Sequence, residues 1–277
     1  MIPVNSADKP KETKNYREEQ ITVYEDGREK SVKEAIILEK PLSIVIDGNP
    51  YSLVMCSPGD EEALIAGFCL SEGVIEHLDD LLSVDFSAAA GVNTATVTLS
   101  PGRRQKTGDM CNKKQTGIPT GCGICKDQPA GATCRPLTPV ISHHQFTIEE
   151  VLGCIHRLPK YQVLHPKTHS AHAAMIFDQA LAPISFAEDV GRHNALDKAI
   201  GRVVLDDKMP SVVLGVMSSR LSYELVQKAA RAKIKMLFGI SRPTALAVDL
   251  ARSVDMTLGC TKHDKLMIFC GGNRIVP

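Results

Sequence analysis

Tryptophan is absent from this chain, and aromatic residues make up only 4% of it. Any core must therefore be built from Val, Ile, Leu, Ala and Met. Net charge is absent as well, with Lys plus Arg and Asp plus Glu at 32 each. General nucleic-acid binding needs a basic surface that displaces counterions, so no nucleic-acid partner is expected, although a local basic pocket stays open. No stretch reaches the roughly 18 apolar residues of a membrane-spanning helix, so no membrane partner is expected. The polar first twenty residues hold no apolar segment of the kind that marks a secretory signal, and a cytoplasmic protein is expected. In a reducing compartment the nine cysteines, an odd number, stay as thiols. Cys56, Cys69, Cys154 and Cys270 sit in apolar runs and read as small buried hydrophobes.

What is present suffices for a sizeable core: 277 residues, 43% of them hydrophobic. Residues 1–20 read as a disordered tail. Residues 21–100 read as a small α+β domain. Its strands are Ala35–Leu38, Leu42–Ile46, Tyr51–Cys56 and Thr94–Leu99, with a turn at Asp47-Gly48-Asn49-Pro50. Ser57-Pro58-Gly59-Asp60 predicts a helix start, with Ser57 as N-cap and Pro58 in the first turn. Residues 101–145 have almost no apolar periodicity and read as a flexible linker loop. Thr147-Ile148-Glu149-Glu150 predicts a capping box. Beyond it, strands at 172–177, 182–187, 211–217, 235–240, 256–260 and 266–270 enclose helices at 191–205, 222–233 and 243–253. The alternation predicts that residues 146–277 form a three-layer α/β/α domain.

Three segments carry chemistry. The linker holds Thr120-Gly121-Cys122-Gly123-Ile124-Cys125, where glycine frees the backbone around the first thiol. Such a pair can bind zinc with two further ligands, for which Cys111, Cys134, His143 and His144 are near in sequence. It can cycle through a disulfide, or carry sulfur as a persulfide with the second thiol resolving. Idle exposed thiols are a liability. A disulfide cycle of the thioredoxin kind would want a strand-to-helix junction, and a swinging loop suits sulfur carriage between a donor and an acceptor.

The second segment runs from Glu188 to Lys198 (Glu-Asp-Val-Gly-Arg-His-Asn-Ala-Leu-Asp-Lys) and is placed where a strand gives way to a helix. Arg192, His193 and free helix amides there suit an anion, while the plainer reading is a loop capped by Asp189. The third, Ser218-Ser219-Arg220-Leu221-Ser222-Tyr223-Glu224, is a second such junction, where capping by Ser222 leaves Ser218, Ser219 and Arg220 to explain. His169 and His172 bracket a strand start, and Thr261-Lys262-His263-Asp264-Lys265 joins the last two strands.

Together these segments resemble the formate dehydrogenase accessory protein family (FdhD/NarQ) over roughly residues 30–277. The helix ending Gly67-Phe68-Cys69-Leu70-Ser71-Glu72-Gly73 also matches. The resemblance implies a sulfurtransferase that takes sulfur from a cysteine desulfurase as a cysteine persulfide. It would pass the sulfur to the molybdenum of bis-molybdopterin guanine dinucleotide, the cofactor of formate dehydrogenase. Carried over, Cys122 is the persulfide-bearing residue and Cys125 its partner. Cys260, Thr261, Lys262, His263, Asp264 and Lys265 contact the guanine dinucleotide, with His193, Ser218 and Arg220 beside them. Lys126 stands where the family continues with Gly, and His169-Ser170 where it has two small residues. A cytidine-deaminase-like fold is also implied, but His193-Asn194-Ala195 and Ser218–Ser222 lack the Glu and thiolates of a zinc deaminase, so no catalytic zinc is expected. A homodimer is expected. The alternatives are a non-catalytic molybdenum-cofactor-binding chaperone and a zinc-binding module.

Overall fold

In the computed structural model, residues 15–89, 92–106 and 137–277 are described. The chain opens with an antiparallel ribbon of β1 (Tyr16–Glu25) and β2 (Arg28–Ile37), paired over their whole lengths. Asp26 and Gly27 turn it with positive φ angles of 51° and 73°, as a two-residue hairpin matching the strand twist requires. This corrects the expected tail, because residues 16–20 are strand. Both faces of the ribbon are largely exposed, so no alternation marks it in the sequence.

A four-stranded sheet follows, in the order β4-β3-β6-β5. Its strands are β3 (Lys40–Ile46), β4 (Asn49–Cys56), β5 (Leu81–Ala89) and β6 (Val92–Leu99). The β3–β4 turn is only Asp47-Gly48, both at positive φ. Helix α1 (Glu61–Ser71) is buried at every position from Ala63 onward, the signature of a helix with protein on all sides. It starts later than predicted, behind Asp60, and Ser57 does not cap it. The reason is tertiary. The Ser57 amide donates to Asp189 Oδ2 at 3.0 Å and its hydroxyl accepts from the Val190 amide at 3.0 Å, which fastens this junction to the second half of the chain.

Residues 101–106 are helical, so the expected loop is anchored at its start. The Arg103 side chain, 2% exposed, donates to the carbonyls of Val74 and Gly73 and to Glu76. At the far end Val140 is buried, with its amide on Val254 O. The short strand β7 (Phe146–Thr147) leads into α2 (Ile148–Tyr161), whose predicted capping box is present: Thr147 Oγ1 accepts from the Glu150 amide, and Glu150 Oε2 from the Thr147 amide. A single turn, α3 (His165–Thr168), follows.

The second sheet has six strands in the order β13-β12-β11-β10-β8-β9. They are β8 (His172–Asp178), β9 (Pro183–Asp189), β10 (Val212–Met217), β11 (Met236–Gly239), β12 (Thr257–Lys262) and β13 (Lys265–Cys270). β10, β11 and β12 are parallel; the other pairings are antiparallel. Alternating residues send Ala173, Met175 and Phe177 to one face, against Val151, Cys154, Ile155 and Leu158 of α2. Ala174 and Ile176 go to the other face, packed with α4 (Arg192–Leu205), α5 (Tyr223–Arg231) and α6 (Ala245–Ser253). Helices thus cover both faces. At the C-terminus β14 (Ile275–Val276) pairs with β7.

One continuous apolar cluster joins this layer to the four-stranded sheet through α1. The α1–α4 crossing is a backbone contact. A Cβ on Gly67 would lie 1.8 Å from Asp197 O, and one on Gly201 1.7 Å from Ala63 O. Among the described residues no helix is long and apolar enough to cross a membrane.

Candidate functional site

Strand direction decides where the motifs meet. Because β10, β11 and β12 are parallel while β8 and β9 alternate, the start of β8 and the ends of β9, β10, β11 and β12 lie at one end of the sheet. The registers trace the row: Asp189 opposite His172, Ala174 opposite Met217, Met217 opposite Gly239, Gly239 opposite Cys260. Five strands at about 4.8 Å spacing make this rim roughly 19 Å wide. The start of α4, the start of α5 and the 260–265 hairpin all rise from it. The carboxyl ends of parallel strands are where open α/β sheets bind ligands.

Most of the 188–198 segment turns inward. Glu188 accepts three consecutive backbone amides, those of Val163, Leu164 and His165, and so holds α3 at the rim. Asp189 is fully buried. It accepts from the amides of Ser57 and Gly191 and from Asn194 Nδ2, and lies 2.8 Å from Lys198 Nζ. Asn194 also donates to Met55 O, and Lys198 to Ser57 O. Asp197 meets Ser71 Oγ at 2.6 Å and Lys228 Nζ at 2.9 Å. Burial works against the charge on Lys228, but Asp197 and Glu72 outweigh it and hold the ammonium well above its usual range. With these residues satisfied, the ones left to serve a ligand are Gly191, Arg192 and His193.

His193 lies on the first turn of α4, with Nε2 2.9 Å from Glu224 Oε2 on α5. Arg192 Nε is shielded from solvent and has no hydrogen-bond partner among the described residues. His172, half-buried, is pushed below the ordinary imidazole range first by burial and then by the positive charges of Arg192 and His165. Ser218 belongs partly to the frame, since its hydroxyl accepts from the Ala173 amide at 2.8 Å. Arg220 is exposed. Ser222 occupies the N-cap of α5 without a side-chain cap bond, and its Oγ is buried with no partner among the described residues.

The 260–265 segment divides by exposure. Cys260 is fully buried in β12, Thr261 is half-buried, and Lys262, His263, Asp264 and Lys265 are exposed. His263 and Asp264 form the turn at φ 48° and 58°, the left-handed pair that a two-residue hairpin matching the strand twist adopts. Asp264 also reaches His156 on α2 at 3.1 Å.

Cys122 and Cys125 lie outside the described residues, as do Cys111, Cys134, Lys113, Lys114 and Lys126. The five described thiols are poor nucleophiles. Burial pushes Cys56 up to about 12 and Cys154 to about 11, and it raises Cys69, Cys260 and Cys270 as well. Cys270 is half-buried rather than buried and bonds Met256 O. Among the described residues no cluster of three or more His, Cys, Asp or Glu gathers to hold a metal ion. Sequence reasoning missed the third junction of the rim, Ser241-Arg242-Pro243-Thr244 between β11 and α6. The signal was available, because it repeats residues 219–222 as Ser-Arg, one apolar residue and a hydroxyl residue.

A family model described as the FdhD/NarQ family matches residues 37–276. The sulfur carrier protein FdhD of Streptomyces coelicolor is 34% identical over 266 residues, covering 90% of this chain and 92% of that one. The protein of the same name from Xanthomonas euvesicatoria is 33% identical over 250 residues, covering 90% and 88%. A crystal structure of a formate dehydrogenase accessory protein from Desulfotalea psychrophila superposes with a TM-score of 0.74 at 21% identity, covering 95% of this chain and all of that one. That likeness establishes the shared fold, and the sequence matches establish more: the chain belongs to the FdhD/NarQ family.

Proposed function

We propose that this protein is a sulfurtransferase that carries sulfur on Cys122 and delivers it to the molybdenum of bis-molybdopterin guanine dinucleotide for formate dehydrogenase. The observation that carries the reading is the convergence of the 188–198, 218–224 and 260–265 segments on one rim. A dinucleotide lying along the rim would have its phosphates over the starts of α4 and α5. Arg220 and the exposed Lys262 and Lys265 would supply the cationic donors, with the His193 ring beside them. The buried, acid-weakened state of the five described thiols is consistent with placing the sulfur chemistry in the 107–136 segment.

The loading step is an exchange. The Cys122 thiolate attacks the terminal sulfur of a cysteine desulfurase persulfide, a new S–S bond forms, and the donor cysteine leaves as thiolate. For delivery, the Cys125 thiolate attacks Cys122 Sγ and displaces hydrosulfide toward the acceptor. The cysteine pair is oxidised to a disulfide, the carried sulfur is reduced, and a cellular thiol restores the dithiol. We place the protein in the cytoplasm, as a homodimer, with a desulfurase and formate dehydrogenase as its partners. The three-layer half is read as a cytidine-deaminase-like scaffold. Its deaminase positions are taken by His193-Asn194-Ala195 and Ser218–Ser222, which cannot bind zinc as thiolates do.

The test is intact mass after incubation with a cysteine desulfurase and cysteine. The wild type should gain one sulfur atom and Cys122→Ala should not. An adduct retained in Cys122→Ala overturns the assignment. Stoichiometric zinc lost on Cys122→Ser would favour the metal-binding alternative, and full formate dehydrogenase activity in cells carrying neither cysteine would favour the chaperone.

A further inference from the structure

Two segments of the rim repeat one another. Ser219-Arg220-Leu221-Ser222 leads from β10 to α5, and Ser241-Arg242-Pro243-Thr244 leads from β11 to α6. Each reads Ser-Arg, one apolar residue, then a hydroxyl residue at the helix N-cap. The strands they leave are parallel, with Met217 opposite Gly239. Their pairing continues past the strand ends: the Ile240 amide donates to Met217 O, the Thr244 amide to Leu221 O, and Leu221 bridges Pro243. That register sets Arg220 opposite Arg242, about 5 Å apart along the backbone.

The approach depends on Gly239. A Cβ there would lie 2.8 Å from Ser241 O, 3.0 Å from Leu221 Cγ and 3.0 Å from Ser219 O. Both arginines are exposed, and neither has an acidic partner among the described residues. Arg242 is close enough to Cys260 to favour its thiolate, which places it beside the 260–265 segment. Each arginine lies two residues before the N-cap of a nine-residue helix; the N-cap hydroxyl of Ser222 is buried with no partner among the described residues, while that of Thr244 accepts from the Ala247 amide. Two like charges held side by side at two positive helix ends repel each other until an anion lies between them.

The geometry points to Arg220 and Arg242 as a two-pronged clamp for the two phosphates of a diphosphate ester, which makes Arg242 a binding residue of the rim. The clamp rests on the reading above only for the identity of the nucleoside end. A guanidinium forks two parallel hydrogen bonds onto one phosphate, so two in register hold adjacent phosphates where a monophosphate engages one.

Isothermal titration calorimetry of the full-length protein with GDP, GMP, ADP and inorganic pyrophosphate tests it. The wild type should prefer GDP to GMP. Arg220→Ala and Arg242→Ala should each weaken GDP binding by about tenfold or more and abolish that preference. Arg242→Lys, which keeps the charge and loses the fork, should fall between. Circular dichroism of these exposed-site variants should match the wild type. GDP binding unchanged in Arg242→Ala overturns the clamp and leaves the cofactor reading standing. Equal, arginine-dependent binding of ADP and GDP upholds the clamp and sinks the guanine assignment. No diphosphate binding by the wild type overturns both.

Discussion

Replacing Gly67 with alanine tests whether the two halves of the chain are joined by a backbone contact. The added methyl carbon would lie 1.8 Å from Asp197 O and 2.7 Å from Gly201 N. A Cβ makes no hydrogen bond and does not come nearer than 3.0 Å to such an atom, so α1 and α4 must part by roughly 1 Å or more. Parting them stretches the contacts beside the crossing: Ser71 to Asp197 at 2.6 Å, Lys228 to Asp197 at 2.9 Å and Lys198 to Ser57 O at 2.8 Å. Overpacking a tight interior costs about 1–3 kcal/mol. A weakened buried charged bond adds about 1.5–3 kcal/mol. Alanine's better helix propensity returns about 1 kcal/mol. The net loss should reach about 3 kcal/mol, read as a lower urea midpoint and a melting temperature lower by about 2–4 °C for each kcal/mol. Gly153→Ala is the matched control. It sits mid-helix in α2 with nothing within 4 Å of its Cβ, so the same substitution should stabilise by up to about 1 kcal/mol. Equal effects of the two substitutions would refute the crossing.

Other outcomes follow from the same frame. Lys228→Met should destabilise by about 3–5 kcal/mol, because it leaves the Asp197 carboxylate buried without its cation. Burial holds the folded-state pKa of Asp197 above its unfolded value. The folded variant therefore takes up the extra proton as pH falls, and its deficit against wild type should shrink from pH 7 toward pH 4 in paired urea titrations; a constant deficit would contradict this. The His172 imidazole should titrate below 6.5 by NMR, and its stability contribution, present above that value, should be lost as pH falls through the folded pKa. Arg192→Ala should move the His172 midpoint upward, and a midpoint that stays put would separate the two groups.

Legibility in the sequence tracked burial. The strands of the second sheet were readable within a residue or two because they are apolar runs set between capped helices, as at Thr147 and Thr244. Of the β1–β2 ribbon only the end of β2 was, at Ala35–Leu38, because two exposed faces leave no periodicity in the rest. The remaining signal was Asp26-Gly27, a hairpin dipeptide set among charged residues. Ser57 misled for the opposite reason. Its local context is that of an N-cap, and a partner 132 residues away in sequence claims it instead. Arg103 was likewise hidden in a stretch that reads as loop, since its use is to fill the carbonyls at the end of α1.

The 188–198 segment shows how a family motif divides its labour. Glu188, Asp189, Asn194, Asp197 and Lys198 all spend their hydrogen bonds inside the protein. Their partners lie on α3, on the β4–α1 junction, and on α1 and α5. These five residues therefore set where the start of α4 sits relative to everything around it. Arg192 and His193, the two side chains that this leaves toward the rim, inherit a position fixed from several sides. Substitutions in the first group should lower stability and ligand binding together. Arg192→Ala should lower binding while leaving the urea midpoint unmoved, whereas a His193 substitution also breaks its contact with Glu224 and should lower both. A motif that couples the two effects at one set of positions and separates them at the next is a frame built around a site, and the separation can be measured one residue at a time.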